Sequence, residues 1–132
     1  MGLNEVQLGV SVPEKWQKLL ASIVGHRRAE KMCQFSDVIG AGEAAQIGIL
    51  DALVETAADL EPKALQVLTK LLKLPDHARV ITKRHARDTL AQEWADPAWL
   101  KAEAEFAWQL LSRPETVKAL DAVFARLAAP KL

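Results

Sequence analysis

Apolar residues recur at helical spacing through most of this chain, and that pattern restricts the fold more than any other feature does. Trp16, Leu19, Leu20 and Ile23 fall at i, i+3, i+4 and i+7, which places them on one face of a helix. Similar spacing returns in three later segments, on Ala64, Leu65, Leu68, Leu71 and Leu72, on Leu100, Phe106, Leu110 and Leu111, and on Val117, Leu120, Val123, Phe124 and Leu127. The sequence therefore predicts a mostly α chain of amphipathic helices.

Capping residues and prolines predict where several of these helices begin. Ser11-Val12-Pro13-Glu14 has the form of a capping box with an early proline. Asp76, which follows Pro75, is predicted to cap a later helix. Asp96-Pro97 is expected to open the next helix, and Ser112-Arg113-Pro114-Glu115 repeats the capping-box pattern before the last one.

Between the first helix and the later ones the pattern is shorter and more broken. Gly25 predicts a left-handed stop, and a second helix is expected from His26 to about Phe35 with Ala29, Met32 and Cys33 turned inward. A short helical turn over residues 43–46 is expected to end at Gly48. Apart from the N-terminal segment, Ile49–Val54 is the best strand candidate because it is brief and mostly apolar.

Composition excludes several classes of function. The length of 132 residues suits one ordinary domain. Basic and acidic residues number 17 each, so the bulk charge does not point to nucleic acid. Cys33 is the single cysteine, which rules out an internal disulfide and a thiol-based zinc site. No apolar run approaches the roughly 18 residues of a bilayer span. We therefore expect no nucleic-acid partner, no membrane partner and no metal site.

Four stretches of the chain together resemble one enzyme family. Gly2-Leu3-Asn4-Glu5-Val6-Gln7-Leu8-Gly9 is similar to a catalytic-glutamate segment, and Ile23–Arg27, with Ala29 and Glu30 in register, is similar to a helix start. Residues 42–51 resemble the signature EA-x-x-x-G-(L/I)-V-D, and residues 74–79 resemble an isomerase-type helix start. These residues identify the crotonase (enoyl-CoA hydratase/isomerase) superfamily, nearest to its mitochondrial 3,2-trans-enoyl-CoA isomerase branch.

The resemblance implies a fold for the chain and a place within the family's enzymes. It implies the C-terminal part of a crotonase-type α/β spiral fold together with its helical trimerisation region. Residues 1–54 would end the spiral core with the catalytic-Glu segment, helices and the last strand, and residues 55–132 would form the helical region. The expected assembly is a homo-oligomer, most simply a trimer, that acts on an acyl-CoA without a separate cofactor, because coenzyme A is part of the substrate.

The resemblance also implies roles for individual residues. Glu5 is expected to be the catalytic base of an enoyl-CoA delta3,delta2-isomerase, which shifts a 3-enoyl double bond to the trans-2 position. Leu3 and Leu8 are expected to line the acyl pocket. Arg126 is expected to reach the CoA phosphates of a neighbouring subunit. Taken without the resemblance, Glu5 and Arg126 would each be interpreted as an ordinary surface residue.

The basic stripe formed by Arg79, Lys83 and Arg87 has two readings. The residues recur at i, i+4 and i+8, so they share one face of a helix. The simpler interpretation is a solvated face balanced by acids such as Asp88 and Glu93. The alternative is a contact with coenzyme A or with another subunit.

Other functions remain open at this stage. An enoyl-CoA hydratase or another crotonase-fold enzyme is the alternative within the superfamily, and a non-catalytic assembly module is the alternative outside it. In the family the oxyanion-hole peptides precede the glutamate segment, so we expect this chain alone to be inactive and to expose apolar surface. The expected location is the mitochondrial matrix. A peroxisome is the alternative, because Pro130-Lys131-Leu132 is a poor variant of the Ser-Lys-Leu address.

Overall fold

The computed structural model describes residues 1–128, and its regular structure is helical throughout that range. Two 3₁₀ turns lie at Glu5–Leu8 and Ala57–Asp59. The α-helices, in chain order, are α1 (Glu14–Val24), α2 (His26–Phe35), α3 (Ala41–Gln46), α4 (Leu60–Leu72), α5 (Asp76–Ala95), α6 (Pro97–Leu111) and α7 (Pro114–Ala128). The prediction of a mostly α chain is therefore confirmed, and residues 130–132, on which the peroxisomal alternative depends, lie outside the described range.

The best-packed part of the chain is built on α1, α2 and α3. Three residues form a buried cluster, namely Met32 of α2, Ile39 of the loop after α2, and Ala44 of α3. Half-buried apolar residues surround it, namely Leu20, Val24, Ile47, Ile49 and Leu50. The predicted bounds of α2 are confirmed, and so is the burial of Ala29, Met32 and Cys33. Gly25 ends α1 at a φ of 85°, a conformation that favours glycine because a side chain would be strained there.

The predicted strand at Ile49–Val54 is wrong, and so is a strand in the N-terminal segment. Residues 49–51 form bends, and the amides of Ile49 and Leu50 both donate to the carbonyl oxygen of Ala44, at 2.9 and 3.2 Å. Those amides terminate α3, so they are not available to a strand ladder. The apolar residues at the start of this run serve packing instead, because Ile49 and Leu50 lie half-buried against the core.

The capping predictions met with mixed outcomes. Asp96 caps α6 as predicted, because its Oδ1 accepts from the amide of Ala98 at 3.0 Å. Ser11 caps nothing in the described chain: α1 begins at Glu14 after Pro13, and no side chain caps it. Asp76 is the first residue of α5 and pairs with Arg79, so it does not serve as the cap either. α7 begins at Pro114, inside the predicted capping box.

Three side-chain contacts join α1 to the corner between α5 and α6. Trp16 and Trp94 meet edge to face, with ring centroids 5.3 Å apart and an interplanar angle of 72°. The Lys15 ammonium lies 3.8 Å from the centroid of the Trp99 ring, although Lys15 is only 3% exposed. Lys18 reaches Glu93 at 3.4 Å. This junction fixes the later helices against the N-terminal cluster.

Much of the apolar surface of the later helices faces solvent. Every residue from 55 to 78 is exposed, so the predicted apolar face of α4 is present but uncovered. Leu65 is 52% exposed and Leu72 is 68% exposed. On α6 only Leu110 is buried, whereas Leu100 and Phe106, which we expected inside, remain about half exposed. In a single chain, therefore, much of the apolar surface that the sequence pattern predicts to be buried remains exposed to solvent.

Candidate active site

Glu5 opens the first 3₁₀ turn, which is held at its end by a glycine. Gly9 adopts the left-handed conformation with φ 73° and ψ 18°. The Gly9 amide donates to the carbonyl oxygen of Val6 at 3.1 Å, and the Val10 amide donates to that of Glu5 at the same distance. A glycine suits this position because residues with a Cβ are strained at positive φ. The turn therefore presents Glu5 from a defined backbone and not from a frayed end.

The segment before Glu5 is held against the loop that follows α2. Met1 and Ile39 exchange two hydrogen bonds: the Met1 nitrogen donates to Ile39 O at 2.6 Å, and the Ile39 amide donates to Met1 O at 2.9 Å. A Cβ on Gly2 would overlap the carbonyl oxygen of Asp37, so the two backbones approach too closely for a side chain. The Glu5 turn is thus anchored on its N-terminal side as well.

The Glu5 carboxylate points toward the interior beside α2. Glu5 is half-buried, and its Oε2 atom is removed from solvent without a hydrogen-bond partner in residues 1–128. Burial raises the pKa of the neighbouring Cys33 thiol, and the negative charge of Glu5 raises it further. The turn that carries Glu5 packs against α2, the helix that carries Cys33. Burying a carboxylate oxygen without a hydrogen-bond partner costs free energy, so Glu5 is a candidate for a catalytic group that exchanges a proton with a bound substrate.

Helix α7 closes the other side of the Glu5 turn through Thr116. Thr116 is 1% exposed, and its Oγ1 has no hydrogen-bond partner in the described residues. That oxygen lies 3.5 Å from the position a Cβ would take on Gly9. Thr116 could not be identified from the sequence, because a threonine in the first turn of a helix carries no pattern that distinguishes burial from exposure.

The other predicted site residues are positioned around or away from this turn. Leu3 and Leu8 are both half-buried on either side of Glu5, and their role in an acyl pocket stays a prediction. Arg126 lies exposed in the last turn of α7, and its contact with coenzyme A stays a prediction as well. In residues 1–128 no three His, Cys, Asp or Glu side chains gather in a way that could hold a metal ion.

The basic stripe formed by Arg79, Lys83 and Arg87 lies on α5. Arg79 pairs with Asp76 on the same helix, in keeping with a solvated, charge-balanced face. Arg87 borders an apolar groove of about 640 Å³ between α1 and α5.

Within the described chain no helix combines the length and the apolar character of a membrane span.

Comparison with known proteins defines the class to which this fold and this site belong. The sequence profile of the enoyl-CoA hydratase/isomerase family matches residues 1–125. The chain is a member of that family, the crotonase superfamily, and the resemblance seen in its motifs is confirmed.

The individual relatives are isomerases. The chain is 30% identical to human mitochondrial enoyl-CoA delta isomerase 1 over 131 residues, which is 99% of this chain and 42% of the human protein. It is 35% identical to the mouse protein of the same name over 91 residues, which is 69% of this chain and 31% of the mouse protein. The chain thus spans less than half of the length of these relatives.

A solved structure supports the same placement. The crystal structure of human mitochondrial delta3-delta2-enoyl-CoA isomerase matches with a TM-score of 0.82 and 31% sequence identity. The match covers 96% of this chain and 48% of the human chain. The described helices are therefore a part of the crotonase fold, as the sequence analysis predicted for the C-terminal part.

Proposed function

We propose that Glu5 is the acid–base group of an enoyl-CoA delta3,delta2-isomerase in unsaturated fatty-acid β-oxidation. The observation that carries the proposal is the buried, unpaired Oε2 of Glu5, on a turn anchored at both ends. Its segment lies inside the region matched by the enoyl-CoA hydratase/isomerase profile. The names of the human and mouse relatives, which are isomerases, favour isomerisation over hydration.

The proposed reaction needs one carboxyl group that both takes and returns a proton. Ionised Glu5 removes a proton from C2 of the 3-enoyl thioester. The C2–H electron pair forms a C1=C2 bond and the carbonyl π pair moves onto the oxygen, which gives a dienolate with C1=C2 and C3=C4 double bonds. The carbonyl then re-forms, the C1=C2 pair becomes the C2=C3 bond, and the C3=C4 pair takes the proton back from the Glu5 carboxylic acid at C4. The product is the conjugated trans-2 thioester, and no electrons or atoms are gained or lost.

The second requirement is stabilisation of the enolate oxygen. Hydrogen-bond donors aimed at such an oxyanion usually supply the largest share of the rate enhancement. In the family these donors come from peptides that precede the glutamate segment. We therefore propose that this chain alone has no isomerase activity and that Glu5 works together with donors from such a segment.

Several assignments follow from the family and extend the proposal. Residues 1–54 would complete the spiral core, and residues 55–132 would form the assembly region, for which the uncovered stretch 55–78 is the supporting observation. Leu3 and Leu8 would line the acyl pocket. Arg126 would meet the CoA phosphates held by a neighbouring subunit of a homotrimer. A mitochondrial location is proposed because the relatives are named mitochondrial.

The test uses a chimera in which this chain replaces the matching C-terminal segment of the human enzyme. The coverage of 96% at a TM-score of 0.82 makes that exchange structurally reasonable. The chimera should convert a 3-enoyl-CoA to the trans-2 isomer, followed by the absorbance of the conjugated thioester. A folded chimera that only adds water to 2-enoyl-CoA would indicate a hydratase instead.

A second candidate function is a non-catalytic assembly module. The observation that favours it is the exposed apolar surface of α4, since all five of its leucines are at least 40% exposed, namely Leu60, Leu65, Leu68, Leu71 and Leu72. Light scattering on the 132-residue chain separates this case: a self-associating chain that contributes nothing to the activity of the chimera would support the module.

A further inference from the structure

The groove between α1 and α5 is lined mainly by apolar side chains and has a volume of about 640 Å³. On the α1 side the lining includes Leu19 and Ile23, which lie one turn apart. On the α5 side most of the lining follows the i, i+3, i+4, i+7 spacing of one helix face, namely Arg87, Leu90, Ala91 and Trp94. The volume lies within the roughly 300–1,000 Å³ of small-molecule pockets.

A contact at one end of the groove fixes the separation of its two helices. Trp16 of α1 meets Trp94 of α5 edge to face, with the ring centroids 5.3 Å apart. Along the groove α5 presents Ala86 and Ala91, whose single methyl groups leave the space toward α1 unfilled. The groove therefore stays open although both of its walls are apolar.

Arg87 supplies the charge of the groove. Among the described residues that line it, Arg87 is the one charged group, and no acid is present. Arg87 makes no salt bridge within residues 1–128, and neither does Lys83, one turn earlier on the same helix. Seven residues separate Arg87 from Trp94, which places them about 10 Å apart along the axis of α5. An apolar channel thus runs from the tryptophan to a positive charge that no acid compensates.

We propose that this groove binds a fatty carboxylate, with the hydrocarbon chain between the apolar faces of α1 and α5 and the carboxylate on the Arg87 guanidinium. A guanidinium can donate two parallel hydrogen bonds to a carboxylate. The apolar walls favour the chain because both surfaces leave water. None of the described residues that line the groove belongs to the Glu5 turn or to α7, so this site does not depend on the proposed isomerase chemistry.

A ligand series tests the chemistry on the unmodified 132-residue chain. In isothermal titration calorimetry, Kd should fall about two- to four-fold for each methylene added from hexanoate to decanoate, the upper value being that of a fully buried methylene. Decan-1-ol should bind about three-fold more weakly than decanoate, because it leaves Arg87 without a carboxylate. Decyltrimethylammonium should bind more weakly still, since it brings a second positive charge to Arg87.

Several results of this series would overturn the proposal. The alcohol or the ammonium compound could bind as tightly as decanoate, which would show that Arg87 selects no anion. Decanoate could bind no more tightly than hexanoate, which would show that the chain does not enter the groove. No binding of decanoate up to its solubility limit would also contradict the proposal.

Substitutions test the two parts of the site separately. Ala91→Phe should abolish decanoate binding because the ring fills the groove, and the fold should tolerate it because Ala91 is exposed. Arg87→Gln should weaken decanoate binding about three-fold, to the level of decan-1-ol, whereas Arg87→Lys keeps the charge and should retain most of the affinity. A wild-type Kd in Ala91→Phe or in Arg87→Gln would contradict the placement of the ligand.

Arg28→Gln is the matched control for the change in charge. Arg28 is exposed on α2 among basic residues that line a different surface pocket, and it makes no salt bridge in the described chain. Its substitution should leave the Kd of decanoate unchanged. An Arg28→Gln chain that loses as much affinity as Arg87→Gln would show that decanoate responds to overall charge or binds at α2.

Nuclear magnetic resonance locates the bound carboxylate without any substitution. Decanoate should shift the backbone amide signals of residues that line the groove, namely Leu19, Ile23, Leu90 and Ala91. The signals of Leu3 and Leu8 should stay in place. Shifts confined to Leu3 and Leu8 would put the ligand at the Glu5 turn and overturn the proposal. Decanoate binding should persist in Glu5→Gln, so this site and the proposed isomerase function can fail independently.

Discussion

Gly2 offers a sharp test of the packing that positions the Glu5 turn. In Gly2→Ala the new Cβ would overlap the Asp37 carbonyl oxygen and lie 3.1 Å from the Cα of Val38. Both are backbone atoms, so neither can swing aside as a flexible side chain would. The strain must be relieved by moving the segment before Glu5 away from the loop after α2.

The cost of that movement is limited by the contacts that it breaks. Residues 1 and 2 can escape the overlap by giving up the two hydrogen bonds between Met1 and Ile39. At about 0.5–1.5 kcal/mol for each bond, the loss is about 1–3 kcal/mol. For a chain of this size the melting temperature should fall by about 3–12 °C.

Gly42→Ala is the matched control because it makes the same chemical change at an open position. Gly42 lies in α3, and a Cβ there would meet nothing within 4 Å. Alanine in place of a helical glycine should stabilise the chain by up to about 1 kcal/mol. Thermal unfolding followed by circular dichroism measures both variants. A Gly2→Ala chain that melts with the wild type, or a Gly42→Ala chain that loses as much as Gly2→Ala, would refute the packing argument.

Three further predictions concern the junction and the site. Lys15→Met should change the free energy of unfolding by less than about 1 kcal/mol, because the desolvation cost of the buried ammonium is offset only by its contact with the Trp99 ring. A loss of several kcal/mol in urea unfolding would contradict this. Gly9→Ala should destabilise the chain by about 1–2 kcal/mol because of its φ of 73°, and equal stability would contradict a left-handed turn. Burial, and after it the negative charge of Glu5, raise the pKa of the Cys33 thiol above its ordinary value. The folded chain therefore holds the thiol proton more tightly than the unfolded chain does. The resulting contribution to stability is complete below the ordinary thiol pKa and declines as the pH rises toward the raised pKa of the folded chain. Glu5→Gln should therefore let Cys33 form thiolate at lower pH, measured by thiolate absorbance, whereas an unchanged thiol titration would place Glu5 away from Cys33.

The helices could be predicted from sequence because their signals are local. The i, i+3, i+4 pattern and the stop at Gly25 gave α1 and α2 nearly as they are. The strand at Ile49–Val54 failed because a short apolar run has no local sign that its amides will terminate the preceding helix. The prediction that Leu100 and Phe106 are buried was wrong. Apolar periodicity predicts which face of a helix is suited to packing, but no other part of the described residues packs over these two side chains enough to bury them.

The site was predictable to the extent that it lies in one continuous segment. Glu5 could be found because its whole segment resembles a family motif. Thr116 lies more than 100 positions later in the chain, and only the packing of α7 brings it to Gly9. Lys15 is likewise invisible to pattern analysis, since burial of its ammonium depends on a tryptophan from another helix.

The most direct test of the central claim is the turnover number of the chimera for a 3-enoyl-CoA, compared between Glu5 and Glu5→Gln. Glutamine keeps the shape of the side chain but cannot accept the C2 proton, so kcat should fall by about 10²–10⁴-fold, the usual share of a general acid–base group. Glu14→Gln, which loses an exposed pairing with Lys18, is the control and should keep wild-type turnover. A folded Glu5→Gln chimera that isomerises at the wild-type rate would contradict the assignment of Glu5 as the base.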